Sequence, residues 1–284
     1  MTSIIVTVLA HNEERRIGAC LMSLLREPGD FPIHVVVNGS RDRTAEIARG
    51  VGPRIIVHAY QTGGKSRSWN RFVFDDLAAF ADVHIFADGD TEIVPGSIAA
   101  LKQALTDDAN SHANAAAGQP CNGRNMTYYR TEQLKTHGLF GDLYALRGSF
   151  LASMKCAKIS LPDDLIGDDS LIGALAKTNL ENEDHWQDAR LIVCPMAGFT
   201  CEPARYTQPR SWVMQYRRLI NYSVRYFQNQ IVSSIMRSTG PKGLPRDLAE
   251  LYPQWLPKLQ ARRTLRHWWF DRCALQRMRR AIPS

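Results

Sequence analysis

Four apolar, strand-length runs in the first 90 residues are each followed by a short polar turn and then by a helix-like segment. The runs are Ile4 to Leu9, Ile33 to Val37, Arg54 to His58 and Val83 to Ala87. Strands that alternate with helices form a parallel sheet, because each right-handed crossover carries its helix over a face of that sheet. The sequence therefore predicts a Rossmann-like α/β fold, with a mostly parallel sheet flanked by helices.

The fourth run ends in two carboxylates, in the sequence Asp88-Gly89-Asp90. Ligands of open α/β sheets bind outside the carboxyl ends of the strands, so both acids are predicted to lie at the ligand site. Carboxylate oxygens suit hard cations such as Mn²⁺ or Mg²⁺, which in turn bind phosphate oxygens. We expect Gly89 to let backbone and ligand approach closely. The alternative is a plain turn, since Asp and Gly are common turn formers.

The second half of the chain has a less regular pattern. Its predicted elements are an edge strand over 114–121, a short helix or lid over 126–137, strands around Gly148, a strand over 190–194 and a helix over 209–227. Asp168 and Asp169 precede the apolar helix face that begins at Leu171. This acid pair is either a functional site or an N-cap that complements the helix dipole.

Composition limits the class of protein. A chain of 284 residues with 44% hydrophobic side chains can bury a substantial core. Lysine and arginine number 35 against 28 acids, a formal charge of +7 that favours a phosphate-bearing substrate or an anionic surface. The six cysteines lack metal-ligand spacing, and neither a signal peptide nor a membrane-spanning apolar run is visible. We therefore expect a cytoplasmic protein with reduced thiols.

Five short motifs resemble, in the same order, those of family 2 glycosyltransferases, which have the GT-A fold. The resemblance covers about residues 3 to 220. Residues 8–14 are similar to the family's first strand and its P-x-Y-N-E-E turn, and 37–40 to D-D-G-S. Residues 88–90 are similar to the metal-binding D-x-D, 167–169 to the G-D-D element that carries the base, and 215–218 to the start of Q-x-x-R-W.

The resemblance implies that one sugar moves from a nucleotide-diphosphate sugar to an acceptor hydroxyl, with inversion. Asp88 and Asp90 would hold Mn²⁺ or Mg²⁺ against the departing diphosphate. By analogy the general base is Asp169, and Asp168 is left open as the alternative. The acceptor-binding candidate is Arg147. The donor-binding candidates are Asn12, Glu13, Asn38, Lys65, Asp88, Gln215 and Arg218.

Several of these donor-binding candidates also have structural interpretations. Asn12 and Glu13 would serve as helix caps, Lys65 as a solvated loop residue, and the helix carrying Arg218 as a solvated basic face. The acceptor is left open between a lipid-linked, a small-molecule and a saccharide compound of glycan, glycolipid or cell-envelope polysaccharide synthesis. Nucleic acid is not expected.

The predicted domain organisation is a GT-A domain over 1–228 and a helical basic extension over 229–284. The GT-A domain divides into a nucleotide-sugar-binding half (1–106) and an acceptor-binding half (107–228). Residues 258–284 mix arginine with tryptophan, which indicates either contact with the inner face of a membrane or a helix packed on the catalytic domain.

Two other classes of function compete with the glycosyltransferase. A sugar nucleotidyltransferase also needs acids and a metal at strand ends, but it requires a basic, glycine-rich phosphate loop after the first strand. Here that turn is the acidic sequence at 11–14. A non-catalytic protein that binds a membrane surface through its basic tail is the other alternative.

Overall fold

The computed structural model describes residues 2–202 and 209–282, and these form one mixed sheet of eight strands in the order β3-β2-β1-β4-β7-β6-β8-β5. Residues 203–208 of the predicted acceptor-binding half and residues 283–284 of the predicted tail lie outside the described residues. The strands are β1 (Ile4–Ala10), β2 (Ile33–Asn38), β3 (Ile55–Tyr60), β4 (Val83–Asp88), β5 (Thr91–Ile93), β6 (Ala115–Pro120), β7 (Leu143–Arg147) and β8 (Leu191–Cys201).

Helices cover the sheet and form the C-terminal region. They are α1 (Ile17–Leu25), α2 (Thr44–Gly50), α3 (Lys65–Arg71), α4 (Ser97–Thr106), α5 (Met126–Thr136), α6 (Gly148–Cys156), α7 (Asp168–Thr178), α8 (Pro209–Ser238), α9 (Tyr252–Trp255) and α10 (Leu265–Arg280). None of the helices in the described ranges is both long enough and apolar enough to cross a membrane.

The central strands are buried on both faces, as their continuous apolar runs predict. Val8 of β1 belongs to one hydrophobic cluster, and its neighbour Leu9 belongs to the other, because successive side chains point to opposite faces. β1, β2, β3 and β4 are mutually parallel neighbours in the order expected for a nucleotide-binding half. β7 is antiparallel to both β4 and β6, so the sheet as a whole is mixed.

Two sequence-based expectations about elements are wrong. The predicted edge strand is β6, which lies inside the sheet between β7 and β8, where its alanines are fully buried. The chain after β7 forms α6 instead of a second strand, and Gly148 at the start of α6 donates its N–H to Asp82 O at 2.8 Å. The helix-like segment after the third run forms α3, which ends with one π-helical turn, Phe72–Asp76.

The C-terminal helices pack on the rest of the molecule. Residue 228, the predicted domain boundary, lies within the continuous helix α8. Ala274 and Met278 of α10 are buried in the same hydrophobic cluster as Trp69 of α3. Asp271 is also buried, and its carboxylate lies 2.7 Å from the guanidinium of Arg262. One face of α10 therefore packs, as the structural interpretation of the tail predicts.

A fully buried histidine, His84, lies on β4. Its Nε2 accepts a hydrogen bond of 2.9 Å from the Ala81 N–H, so in the neutral ring Nδ1 carries the proton. Burial, together with the charge of the nearby His34, lowers the pKa of His84 to about 4. The folded protein therefore keeps His84 neutral at a pH at which an unfolded chain would protonate it.

We expect acid to remove the stabilising contribution of neutral His84. The unfolded chain protonates this residue near pH 6.5 and the folded chain near 4, so the contribution is complete above 6.5 and falls below it. The stability advantage of the wild type over His84→Asn should fall by roughly 2 kcal/mol between about pH 7 and pH 5, measured by urea unfolding. His112→Asn, at an exposed position, is the control. A constant difference across this range would contradict the expectation.

Candidate active site

The turn Asp88-Gly89-Asp90 lies at the carboxyl ends of β1 and β4. Leu9 pairs with Asp88 in the parallel register, and Leu9 O accepts the Gly89 N–H at 2.8 Å. A Cβ at position 89 would lie 2.8 Å from the Ala10 Cβ. Gly89 therefore allows the turn to pack against β1.

Lys65 connects acids from the two halves of the chain. Its Nζ lies 2.7 Å from Asp88 Oδ1 and 3.6 Å from Asp168 Oδ2. Burial would lower the pKa of Lys65, but the carboxylates of Asp168 and Asp88 raise it well above its usual value. Burial raises the pKa of Asp88 well above its usual value, and the charge of Lys65 lowers it only in part. The negative charges of Asp142, Asp168 and Asp90 raise the pKa of Asp88 further.

The acid pair of the second half lies at the start of α7 and faces the same cleft. Asp169 Oδ1 lies 2.8 Å from the guanidinium of Arg225 and accepts the N–H of Ser170 at 2.9 Å. A Cβ at Gly141 would lie 3.7 Å from the Asp169 Cβ and 3.9 Å from Asp88 Oδ2. Asp88 of the first half and Asp169 of the second half are therefore both close to Gly141 and lie in the same cleft.

Asp142 is an acid of this cleft that sequence analysis missed. It directly precedes β7, its carbonyl oxygen accepts the N–H of Asp88 at 3.3 Å, and its Oδ1 accepts the Cys201 thiol at 3.3 Å. Burial raises the pKa of the Asp142 carboxyl. Because β7 is antiparallel to β4, its amino end lies at the cleft. The position of Gly141-Asp142 before an apolar strand was the only signal in the sequence.

The same strand direction removes Arg147 from the cleft, which corrects its prediction as an acceptor-binding residue. Arg147 ends β7 and pairs with Val83, the first residue of β4, so it lies at the end of the strands that faces away from the cleft. Its guanidinium donates to Ala113 O at 2.8 Å and to Asn110 O at 3.0 Å. Arg147 therefore ties a loop to the sheet.

Asp90, the second acid of the turn, has a cationic partner that the sequence did not reveal. Arg16, directly before α1, places Nη1 3.2 Å from Asp90 Oδ2 and Nη2 2.5 Å from Glu13 Oε2. Burial, together with the charge of Asp90, raises the pKa of Glu13 to about 7. Glu13 therefore lies at the cleft, with Arg16 between it and Asp90.

The two predicted asparagines connect loops at this edge of the sheet. Asn12 has a positive φ of 57°, and its Oδ1 accepts the Arg41 N–H at 2.9 Å. Asn38 ends β2, and its Oδ1 accepts the Gly64 N–H at 3.3 Å. Both residues lie where a donor nucleotide is predicted, and their contact with one stays a prediction.

Arg218 on α8 faces the cleft. Its Nε donates to the Tyr222 hydroxyl at 2.6 Å. Burial would lower the pKa of Arg218, but Tyr222 and the carboxylates of Asp90 and Asp142 raise it. Gln215 lies almost one turn earlier on the helix and is half-buried. The basic face of α8 is therefore directed towards the acids.

The donor set of the cleft fits a hard divalent cation. Carboxylate oxygens are its only charged acceptors among the described residues, and they are the ligands that Mn²⁺ and Mg²⁺ prefer. No three acid, histidine or cysteine side chains in the described ranges are grouped closely enough to hold an ion by themselves. A metal here would therefore need oxygens from a substrate in addition to Asp88 and Asp90.

Comparison with known families identifies the chain. The family model "Glycosyl transferase family 2" matches residues 3–159, which is more than half of the sequence. The chain belongs to glycosyl transferase family 2. This confirms the family resemblance and leaves the sugar-nucleotide synthesising alternative without support.

One curated relative matches over a short region. It is a 4,4'-diaponeurosporenoate glycosyltransferase from Staphylococcus haemolyticus, 33% identical over 93 residues. The match includes 32% of this chain and spans only about a quarter of the relative's length, 25%.

Solved structures with a similar fold confirm the GT-A architecture. A mannosyltransferase from Pyrobaculum calidifontis, in complex with GDP-Man and Mn²⁺, has a TM-score of 0.62 at 17% identity, over 99% of this chain and 74% of its own. TarS 1-349 from S. aureus, in complex with UDP-GlcNAc, has a TM-score of 0.52 at 16% identity, over 99% and 82%. At these identities the likeness shows the fold alone.

We expect Lys65→Met to destabilise the protein, because it leaves the carboxylates of Asp88 and Asp168 without their cation. The loss should be about 1–3 kcal/mol near neutral pH and should shrink as acid protonates the two carboxyls. Urea unfolding of Lys135→Met, which loses a surface pair with Glu132, is the control and should show a few tenths at most. Equal losses for the two variants would contradict this role of Lys65.

Proposed function

We propose that this protein is an inverting, metal-dependent glycosyltransferase that moves one sugar from a nucleotide-diphosphate sugar to an acceptor hydroxyl. The observation that carries the proposal is the opposition of two acid groups across one cleft. Asp88 and Asp90 lie on the side formed by the nucleotide-binding half, and Asp169 lies on the other. An inverting transfer needs a charge-stabilising site on one side of the sugar and a base on the other.

The donor diphosphate fits the first side of the cleft. Asp88 and Asp90 would hold Mn²⁺ or Mg²⁺, which supplies Lewis-acid stabilisation of the departing diphosphate. Lys65 and Arg218 are placed to neutralise the phosphate oxygens, with Gln215 beside them. The Mn²⁺ in the similarly folded mannosyltransferase supports this assignment.

The nucleoside of the donor fits the loops beside this site. Asn12, Glu13 and Asn38 follow the carboxyl ends of β1 and β2 and offer amide and carboxylate groups for a base or a ribose. The similarly folded structures carry GDP-Man in one case and UDP-GlcNAc in another, so both guanine and uracil donors belong in a first screen.

Asp169 is the better placed of the two candidate bases. The Asp168 side chain is only 6% exposed and lies 3.6 Å from Lys65, the partner of Asp88, so it belongs to the floor on the donor side. Asp169 lies against Arg225, which leaves its second oxygen, Oδ2, to accept the proton of an attacking hydroxyl. Asp168 then serves to position Lys65.

Replacing the base should abolish transfer without abolishing donor binding. For Asp169→Asn we expect a decrease in kcat of about 10²–10⁴-fold, with the affinity for a nucleoside diphosphate and Mn²⁺ retained. The assay is release of nucleoside diphosphate from a panel of UDP, GDP and dTDP sugars with acceptors, and binding is measured by calorimetry.

Asp168→Asn is the matched control for this experiment, because it removes the neighbouring charge. It should weaken donor binding more than it lowers kcat. Full turnover by Asp169→Asn would refute its assignment as base, and the absence of metal-dependent turnover of any nucleotide sugar would count against the proposed function.

The exposed face of α10 supports an acceptor held at a membrane. Trp268 and Trp269 are 43% and 53% exposed, and the Arg272 guanidinium lies 4.8 Å from the Trp268 ring centroid. The last turn of α10 carries Arg277, Arg279 and Arg280. Tryptophan with arginine is typical of a segment that lies in the interface of an anionic bilayer. We propose a lipid-linked acceptor, reached from the cytoplasmic face of the membrane.

Liposome flotation tests this membrane contact. The double variant Trp268→Ala/Trp269→Ala should lose most of the binding to phosphatidylglycerol vesicles, because its aromatic anchors are gone. Tyr128→Ala/Tyr129→Ala removes an equally exposed aromatic pair from α5 and should bind as the wild type does. Equal flotation of the wild type and the tryptophan variant would remove the membrane proposal.

A further inference from the structure

Among the described residues, the cleft contains more acids than cations, and each cation has a distinct partner. Lys65 lies on Asp88 and Asp168, Arg225 on Asp169, and Arg218 on Tyr222. The direct ion pair of Asp90 is with Arg16. Among the described residues the acids are Glu13, Asp88, Asp90, Asp142, Asp168 and Asp169, and the cations are Arg16, Lys65, Arg218 and Arg225.

We propose that Arg16 is a resident counter-cation of Asp90 that competes with the divalent metal for this carboxylate. In the metal-free protein its guanidinium neutralises Asp90. When a metal binds, Arg16 releases Asp90 and remains on Glu13. This inference rests on the proposed function, because it takes Asp90 as a metal ligand.

The geometry allows this exchange at little energetic cost. Arg16 contacts Asp90 through a single long contact of 3.2 Å, whereas its contact with Glu13 is 2.5 Å. The Arg16 and Asp90 side chains are 31% and 34% exposed, so water and ions reach the pair. The Arg16 N–H donates to Glu13 O at 2.9 Å, which fixes the backbone and leaves the guanidinium to move. When Asp90 is released, Arg16 therefore keeps a carboxylate partner.

The consequence is a metal affinity that depends on the donor. Without nucleotide, an ion must displace Arg16 and gains only protein oxygens in return. With a nucleoside diphosphate present, the phosphate oxygens add ligands and negative charge, so competition from Arg16 matters less. Arg16 thereby links metal binding to donor binding and limits occupation of the empty site by stray divalent ions.

Titration of Mn²⁺, followed by the electron paramagnetic resonance signal of the free ion, tests this role without any turnover. In the absence of nucleotide, Arg16→Met should bind Mn²⁺ about three- to fivefold more tightly than the wild type, as expected for loss of one partly exposed ion pair. With UDP or GDP present, the gain should be smaller. Damage to the fold would weaken binding, so the sign of the change is informative.

Arg15→Met is the matched control, because Arg15 is the exposed neighbour in the same turn. Its affinity for Mn²⁺ should stay within about a factor of two of the wild type. Arg16→Gln is a second neutral variant for which we expect the same gain in affinity. It replaces Arg16→Met in the test if Arg16→Met folds poorly. Asp90→Asn identifies the metal site and should bind Mn²⁺ much more weakly.

The outcomes separate the two proposals. If neither Arg16 variant gains affinity while Asp90→Asn loses it, the competition is refuted and the metal site stands. If Asp90→Asn binds Mn²⁺ as the wild type does, the proposed metal site is wrong and the role of Arg16 falls with it.

Discussion

A single ammonium group between two carboxylates connects the two halves of this molecule. Lys65 Nζ lies 2.7 Å from Asp88, which the fourth strand delivers, and 3.6 Å from Asp168, which begins α7. These acids lie in a mostly buried cleft, where like charges repel strongly unless a cation lies among them.

The apolar layer beneath the bridge makes it rigid. Phe86 of β4 stacks on Tyr144 of β7 with ring centroids 5.0 Å apart, and Trp69 of α3 donates its indole N–H to the Tyr144 hydroxyl at 3.1 Å. α3 begins at Lys65, so the packing of Trp69 one turn later fixes the origin of the lysine side chain. The buried, hydrogen-bonded side chain of Trp69 thus helps to position the ammonium group of Lys65 at the site.

Local patterns in the sequence were sufficient for the nucleotide-binding half. The four parallel strands and the turn at 88–90 lie where periodicity and motif spacing place them. In the second half, motif spacing also places the acid pair at the start of α7. These features depend on residues close in sequence, or on an order of motifs that one family shares. Which carboxylate acts as base and which residues contact the donor stay predictions.

Strand direction and tertiary partners were beyond the sequence. An isolated run such as Leu143–Arg147 does not reveal whether it is parallel or antiparallel to its neighbour. Because β7 is antiparallel to β4, Asp142 lies at the cleft and Arg147 at the far end of the strand. Arg16 and Arg225 meet their carboxylates from 74 and 56 residues away, respectively, at distances that only the folded chain defines. The close packing of Gly89 on Ala10 is likewise a property of two strands, which a dipeptide pattern does not contain.

The most direct test of the central claim is a crystal structure with Mn²⁺ and a bound nucleoside diphosphate, recorded with anomalous scattering at the manganese edge. The account predicts one anomalous peak within coordination distance of the Asp90 carboxylate, with the diphosphate beside Lys65 and Asp169 across the cleft. A peak elsewhere, or a nucleotide bound away from these acids, would contradict it.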